Sequence, residues 1–397
     1  MTTAILQLNK NADRRLRQGH RWIYSNEVDV KKTPLKAFEA GEQAILQCAS
    51  GKTIGRVVMS PQSLICARLI ARDAEQELNA SLLVHRLKIA LSLREGTFAT
   101  PHYRLIYGDS DGLPGLVIDR FGDDFVVQIS SAAMEALKAD IVAALEKVCR
   151  AKTVLFRNDG KMRQSEGLDS YLEFGLGEAR EMQLEENGVK FVVPVYEGQK
   201  TGWFYDHRLN RARLKDYVKG KRVLDLYSYI GGWGVQLAAF GAESVTCVDR
   251  SSLALDYLQR NAELNGVAER VQCIEGDVFE VCRQLKHEDA RFDLVIVDPP
   301  AFIPRRKDQK SGEQAYHRLN HLAMRLLAKD GLLLSASCSM HLPQEKLVDI
   351  LRHTARSLEK ELTVLEQGSQ GPDHPILPAI PETQYLKSLL CRVLPAL

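Results

Sequence analysis

No pair of cysteines in this chain has the spacing of a metal site or a redox motif. The eight cysteines stand at positions 48, 66, 149, 247, 273, 282, 338 and 391, and none forms Cys-x-x-Cys. That excludes zinc ribbons and thioredoxin-like sites, and it fits reduced thiols in a cytoplasmic protein. No run of about 18 apolar residues exists, so no membrane helix is expected. The stretch Met1 to His20 is polar and has no apolar core of a signal peptide. No Gly-x-x-x-x-Gly-Lys-Ser/Thr loop is present, which argues against phosphoryl transfer. The acidic Gly108-Asp-Ser-Asp-Gly112 lacks the later Glu of a calcium loop, so it reads as a turn, and no metal is expected. Net charge is small as well, at +2.

What charge there is lies unevenly. Residues 1–72 hold 12 Lys and Arg against 5 Asp and Glu, or +7, and the remainder carries −5. A basic N-terminal module beside a mildly acidic body points to a polyanion partner, with a solvated basic face as the alternative. At 397 residues, 45% hydrophobic and 26% charged, the chain is long enough for two or three globular domains.

One stretch organises the rest: Val223-Leu-Asp-Leu-Tyr-Ser-Tyr-Ile-Gly-Gly-Trp-Gly234. It starts as a buried strand with Asp225 near its end, breaks at Gly231, Gly232 and Gly234, and runs into an apolar helix over 235–240. A strand passing through glycines into a helix brings backbone close to a ligand at a helix N-terminus. A tight turn without a ligand is the alternative. The spacing departs from Gly-x-Gly-x-x-Gly, against a nicotinamide cofactor. The acid-first pattern resembles the S-adenosylmethionine site of class I methyltransferases.

From here strands and helices alternate, which predicts a parallel sheet with helices on both faces. Strands over 244–248, 271–274, 294–297 and 332–336 alternate with helices over 253–264, 316–328 and 344–358. Two final strands, 363–366 and 386–393, read as an antiparallel pair at one edge. Ligands in such sheets bind beyond the carboxyl ends of the strands, where Asp225, Asp249, Asp277 and Asp298 appear in succession. Asp249 suits ribose hydroxyls, Asp277 an adenine amino group, and Asp225 the methionine portion.

Upstream, strands over 44–48, 54–59 and 65–70 with the stretch Gly19-His-Arg-Trp-Ile-Tyr-Ser25 resemble a PUA domain, a small RNA-binding barrel. Residues 74–188 read as a central α+β domain, with helices over 82–93 and 134–148 and strands over 116–118, 125–129 and 153–156. Gly198 to Arg208 is dense in polar, aromatic and glycine residues, and either covers a cofactor or caps the sheet. The domains expected are 1–73, 74–188 and 189–397.

Asp298-Pro-Pro300 gives a rigid backbone that presents Asp298. Cys338 follows a buried strand, between Ser337 and Ser339, at the edge where ligands bind. Carbon 5 of a pyrimidine is not nucleophilic until a thiolate adds to carbon 6, so a cysteine placed here suits carbon-5 methylation. Asp298 then holds or protonates the pyrimidine edge, and a structured RNA must splay the base out.

Taken together, Gly108-Asp-Ser-Asp-Gly-Leu-Pro-Gly115, Gln199-Lys-Thr-Gly202, Asp206-His-Arg208, Asp225 to Gly234, Asp298-Pro-Pro300, Ser337-Cys-Ser339 and Asp373-His-Pro375 resemble the bacterial 23S ribosomal RNA cytosine-5 methyltransferases. The resemblance covers the full chain. It implies an α/β protein: a C-terminal Rossmann-like methyltransferase sheet, an N-terminal PUA-like barrel and a central α+β domain. It implies S-adenosylmethionine as cofactor, free or early-assembly 23S RNA as partner, and a homodimer. Cys338 is then the nucleophile with Asp298 beside it. Cofactor contacts fall to Lys200, Thr201, Arg208, Asp225, Tyr227, Ser228, Gly231, Gly232, Asp249, Arg250, Gly276 and Asp277. Ala301 stands where relatives often have Lys, and Asn187 where His is usual. Uracil-5 methylation, N-methylation of guanine or adenine, and a non-catalytic RNA-binding assembly factor remain open alternatives.

Overall fold

The computed structural model describes residues 4–396. The chain divides into two compact units, one built from residues 1–182, 195–203 and 372–383, the other from 183–194, 204–371 and 384–397. The first unit therefore combines the regions expected as separate barrel and central domains. It also takes in a short return from near the C-terminus.

The first unit opens with a five-stranded sheet of β1 (Ala4–Gln7), β2 (Trp22–Tyr24), β3 (Gln43–Gln47), β4 (Thr53–Met59) and β5 (Ile65–Ala71), in the order β1-β3-β4-β5-β2, with a single helical turn α1 (Arg14–Arg17). The β3–β4 hairpin forms where the turn residues Ala49 to Lys52 lie. Leu6, Ile23, Leu46, Val57 and Met59 fill its core, each at most 1% exposed. A second sheet follows: β6 (His102–Tyr107), β7 (Leu116–Phe121), β8 (Asp124–Ile129), β9 (Thr153–Asn158) and β10 (Tyr171–Leu176). Helices α2 (Ala80–Thr97), α3 (Ala132–Ala136) and α4 (Lys138–Cys149) accompany it. Val58 and Ile70 of the first sheet join the core of the second beside Leu83, Leu87 and Phe125. That shared core is why the two sheets form one unit.

The acidic turn at Gly108 serves this unit. Asp111 accepts from the Tyr107 backbone N–H at 2.7 Å and pairs with the buried Arg94 at 2.7 Å. Arg94 also donates to the Asp373 carbonyl, and the Asp373 carboxylate takes the Arg104 N–H. The Asp373-His-Pro375 motif thus anchors the C-terminal return.

The second unit takes the hairpin of β11 (Met182–Glu186) and β12 (Val189–Val193) from Gln183 on, then helix α5 (Arg208–Arg213). Its main sheet has seven strands: β13 (Arg222–Leu226), β14 (Ser244–Asp249), β15 (Val271–Glu275), β16 (Phe292–Val297), β17 (Leu327–Ser337), β18 (Lys360–Gly368) and β19 (Lys387–Pro395). Between them run α6 (Gly234–Ala239), α7 (Ser252–Leu264), α8 (Val278–His287), α9 (Gln309–Leu326) and α10 (Gln344–Ser357). The strand order is β15-β14-β13-β16-β17-β19-β18, parallel except that β19 pairs antiparallel with both neighbours. Val223, Leu224 and Leu226 are fully buried; each such side chain contributes roughly 1.5–3 kcal/mol. Chain order reverses at β13, whose neighbours are β14 and β16. A crevice opens at the carboxyl ends of the strands where such a reversal occurs.

Candidate active site

Because the strands are parallel, their carboxyl ends lie along one edge. In sheet order the edge presents Asp277 after β15, Asp249 ending β14, Asp225 in β13, Asp298 after β16 and Cys338 after β17. Residues far apart in the chain become a row.

At β13 the backbone leaves the strand through Tyr227 (φ 65°) and Tyr229 (φ 49°), a left-handed conformation uncommon for such side chains. The Gly234 N–H, which opens α6, donates to Asp225 Oδ2 at 2.9 Å. Asp225 Oδ1 and Ser228 Oγ are buried without a hydrogen-bond partner. Burial pushes the Asp225 carboxyl up to about 8, with the Asp298 and Asp249 charges adding to it. Two of the glycines answer to packing. A Cβ at Gly231 (φ 88°) would lie 2.5 Å from Val235 Cγ2, and one at Gly234 would lie 2.4 Å from Cys247 Sγ. They seat α6 and α7 on the sheet. Gly232 follows in the same loop.

Asp249 orders this loop. Its two oxygens accept from the Tyr229 and Ser251 N–H groups at 2.8 and 2.9 Å, and its carbonyl takes the Gly276 N–H. Asp277 caps α8, its Oδ1 accepting from Phe279 at 3.0 Å and Glu280 at 3.3 Å. Arg250 and Asp277 are exposed. Arg208 is buried with its guanidinium on Glu186, which also holds Arg211 at 2.6 Å. Lys200 and Thr201 belong to the other compact unit, where Lys200 is exposed and the Thr201 hydroxyl donates to the Trp203 carbonyl.

Asp298 has both oxygens engaged. His207 Nε2 lies 3.2 Å from Oδ1, and Trp233 Nε1–H donates to Oδ2 at 2.9 Å. Burial would raise this carboxyl, but the His207 charge and hydrogen bond, with that of Trp233, outweigh burial and hold it below its ordinary value. For His207, burial works to lower the imidazole, and Asp298 and Asp206 prevail to raise it. The His207 pairing thus favours the ionised form of Asp298 in a fixed pair. His207 was legible only as part of a motif; its role needed the fold.

Cys338 leaves β17 partly exposed and outside any disulfide. The flanking serines are buried and explain the turn. Ser337 Oγ donates to Tyr316 OH at 2.8 Å, and Tyr316 OH lies 2.9 Å from Ser339 Oγ. The Ser339 hydroxyl also accepts the Ile303 N–H at 3.2 Å, tying the Asp-Pro-Pro loop to the cysteine turn. Lys387, which sequence reasoning missed, is buried beside it. Its ammonium donates to the carbonyls of Ser339 and Tyr385 at 2.6 and 2.7 Å. A lysine opening a mostly apolar strand is unusual, but nothing in the sequence names its partner.

A doubly wound sheet with an acid-lined crevice at its reversal point and a partly exposed cysteine at the end of β17 defines a class I transferase architecture. Comparison gives the family. Residues 140–392 match the model of S-adenosylmethionine-dependent methyltransferases, and residues 6–72 match a PUA-like domain. A relative from Erwinia tasmaniensis, ribosomal RNA large subunit methyltransferase I, is 34% identical over 398 residues, covering 99% of this chain and 100% of the relative. A Streptococcus mutans protein assigned as a SAM-dependent methyltransferase superposes with a TM-score of 0.82 at 20% identity, over 98% of this chain and 100% of its own. A further methyltransferase-like structure, solved with SAH, gives 0.83 at 22% identity, over 99% of this chain and 100% of that chain. The chain belongs to the S-adenosylmethionine-dependent methyltransferase family and shares full-length descent with the large-subunit ribosomal RNA enzymes. Its cofactor is S-adenosylmethionine. The orphaned Asp225 Oδ1 and Ser228 Oγ fit the amino and hydroxyl groups of that cofactor.

Proposed function

We propose that this protein methylates carbon 5 of cytosine in large-subunit ribosomal RNA, with Cys338 as the nucleophile. The observation that carries the reading is the partly exposed thiol at the carboxyl end of β17, on the strand next to the one that presents Asp298. Asp225, Tyr227, Ser228, Gly231, Gly232, Asp249, Arg250, Gly276 and Asp277 form the cofactor side of the row.

S-adenosylmethionine, when bound, supplies an electrophilic methyl on its sulfonium. Cys338 adds to carbon 6, and the ring π pair moves toward carbon 5, which then becomes nucleophilic. After methyl transfer a base takes the carbon-5 proton, the ring double bond reforms and the thiolate leaves. Asp298, fixed by His207 and Trp233, accepts a hydrogen bond from the cytosine amino edge without needing to turn. A flipped-out base is required, which free or early-assembly RNA permits in the cytoplasm. A homodimer, tested by sedimentation, completes the reading.

Tritium release from RNA labelled at carbon 5 of cytosine is the test. Release by wild type and none by Cys338→Ala supports the reading. Methyl incorporation without tritium release rejects it in favour of uracil or a nitrogen target.

A further inference from the structure

Lys387 and the turn that carries Cys338 belong to two strands that are adjacent in space and about fifty residues apart in the chain. Lys387 is the Cα partner of Ser337 in the antiparallel β17–β19 pair, so its side chain starts one residue from Cys338. It is 7% exposed. Of the two carbonyls that hold its ammonium, Ser339 closes the Ser337-Cys-Ser339 turn and Tyr385 lies two residues before the lysine itself. An ammonium has three N–H donors, and two are spent on these carbonyls. Neither carbonyl carries a formal charge, so a buried cation sits here without a carboxylate hydrogen-bonded to it. Such an arrangement is costly unless an anion shares the site.

We propose that Lys387 is a positioning residue that stabilises the thiolate of Cys338 by holding its ammonium against the Ser337-Cys-Ser339 turn. The thiol proton passes to solvent, and the electron pair left on Sγ faces the fixed positive charge. When Sγ bonds to carbon 6 the negative charge leaves sulfur, and when that bond breaks the ammonium is again in place for the expelled thiolate. Burial lowers the Lys387 amine to about 8, while the thiolate of Cys338 acts to raise it. Near pH 7 the amine therefore remains mostly charged. The inference rests on Cys338 being the nucleophile, but the coupling between the two side chains can be read without turnover.

The experiment is peptide-resolved alkylation of Cys338 by iodoacetamide across pH, in wild type, Lys387→Met and Lys387→Arg. Lys387→Met is expected to move the midpoint upward by about one unit, equivalent to roughly tenfold less thiolate at a fixed pH below both midpoints. Methyl transfer should slow with it in kcat, with KM for S-adenosylmethionine unchanged. Lys387→Arg should restore part of both. A midpoint that does not move in folded Lys387→Met overturns the proposal. Should Lys387→Met fail to fold, the reciprocal measurement decides. NMR titration of Lys387 in Cys338→Ala should show a lower midpoint than in wild type, and an unchanged one overturns the coupling. If Cys338→Ala keeps its tritium release, the nucleophile reading falls, and the alkylation profile still reports whether the ammonium and thiol are coupled.

Discussion

Asp225 is a carboxyl that the fold takes fully out of water. In the unfolded chain its carboxyl ionises at the usual value near 4; in the fold it holds its proton to about 8. Between those limits the native state binds more protons than the unfolded one, so this group lowers stability as pH rises, and the loss is complete above about 8. Asp225→Asn mimics the protonated form and keeps the acceptor for Gly234. Thermal melts should show wild type losing more Tm than Asp225→Asn between pH 5 and pH 9, while the variant binds S-adenosylmethionine more weakly by calorimetry. Equal slopes would contradict the assignment. Asp298 makes the opposite case. Its carboxylate is held ionised by His207, and Asp298→Asn removes that charge while retaining shape. We expect methyl transfer to fall by about 100-fold with folding intact, read as tritium release.

At the scale of elements, the cysteine turn depends on α9. Tyr316→Phe removes the hydroxyl shared by Ser337 and Ser339 and leaves buried polar groups short of a partner, a loss of about 1–3 kcal/mol in denaturant unfolding. Gly234→Ala drives a Cβ toward Cys247 Sγ and should destabilise by about 1–3 kcal/mol, with Cys247→Ala restoring part of it. The second unit's sheet was legible because parallel strands are continuous apolar runs, and the edge hairpin because two strands follow without a helix between them. The helix expected over 134–148 is broken at Leu137, where α3 ends and α4 begins. Its apolar spacing continues across the break, so periodicity alone could not show it. Strand β10, with alternate half-exposed residues in YLEFGL, carries too little apolar contrast to stand out. The acids at strand ends were readable because each closes an apolar run. His207 and Lys387 were not: each acts on a partner brought to it by the sheet, and nothing local marks the pairing.

Across the whole molecule, the positive charge of the N-terminal region bears on RNA. Lys31, Lys32 and Lys36 are exposed. Replacing all three with Glu should weaken RNA binding, most at low salt, and flatten the dependence of log K on log salt, with cofactor affinity unchanged. A slope identical to wild type would place the polyanion contact elsewhere.

The path of the chain has a consequence for its synthesis. The polypeptide passes between the two compact units five times, and residues 372–383 return to the first unit only after the long run 204–371 has been laid into the second. Domains usually fold as units with the N-terminal one first. Here Arg94 and Arg104, made early, wait for Asp373, made late. The first unit is therefore unfinished until residues 372–383 have been made, and the second until residues 384–397 follow. A ribosome stalled before codon 372 would carry two unfinished bodies.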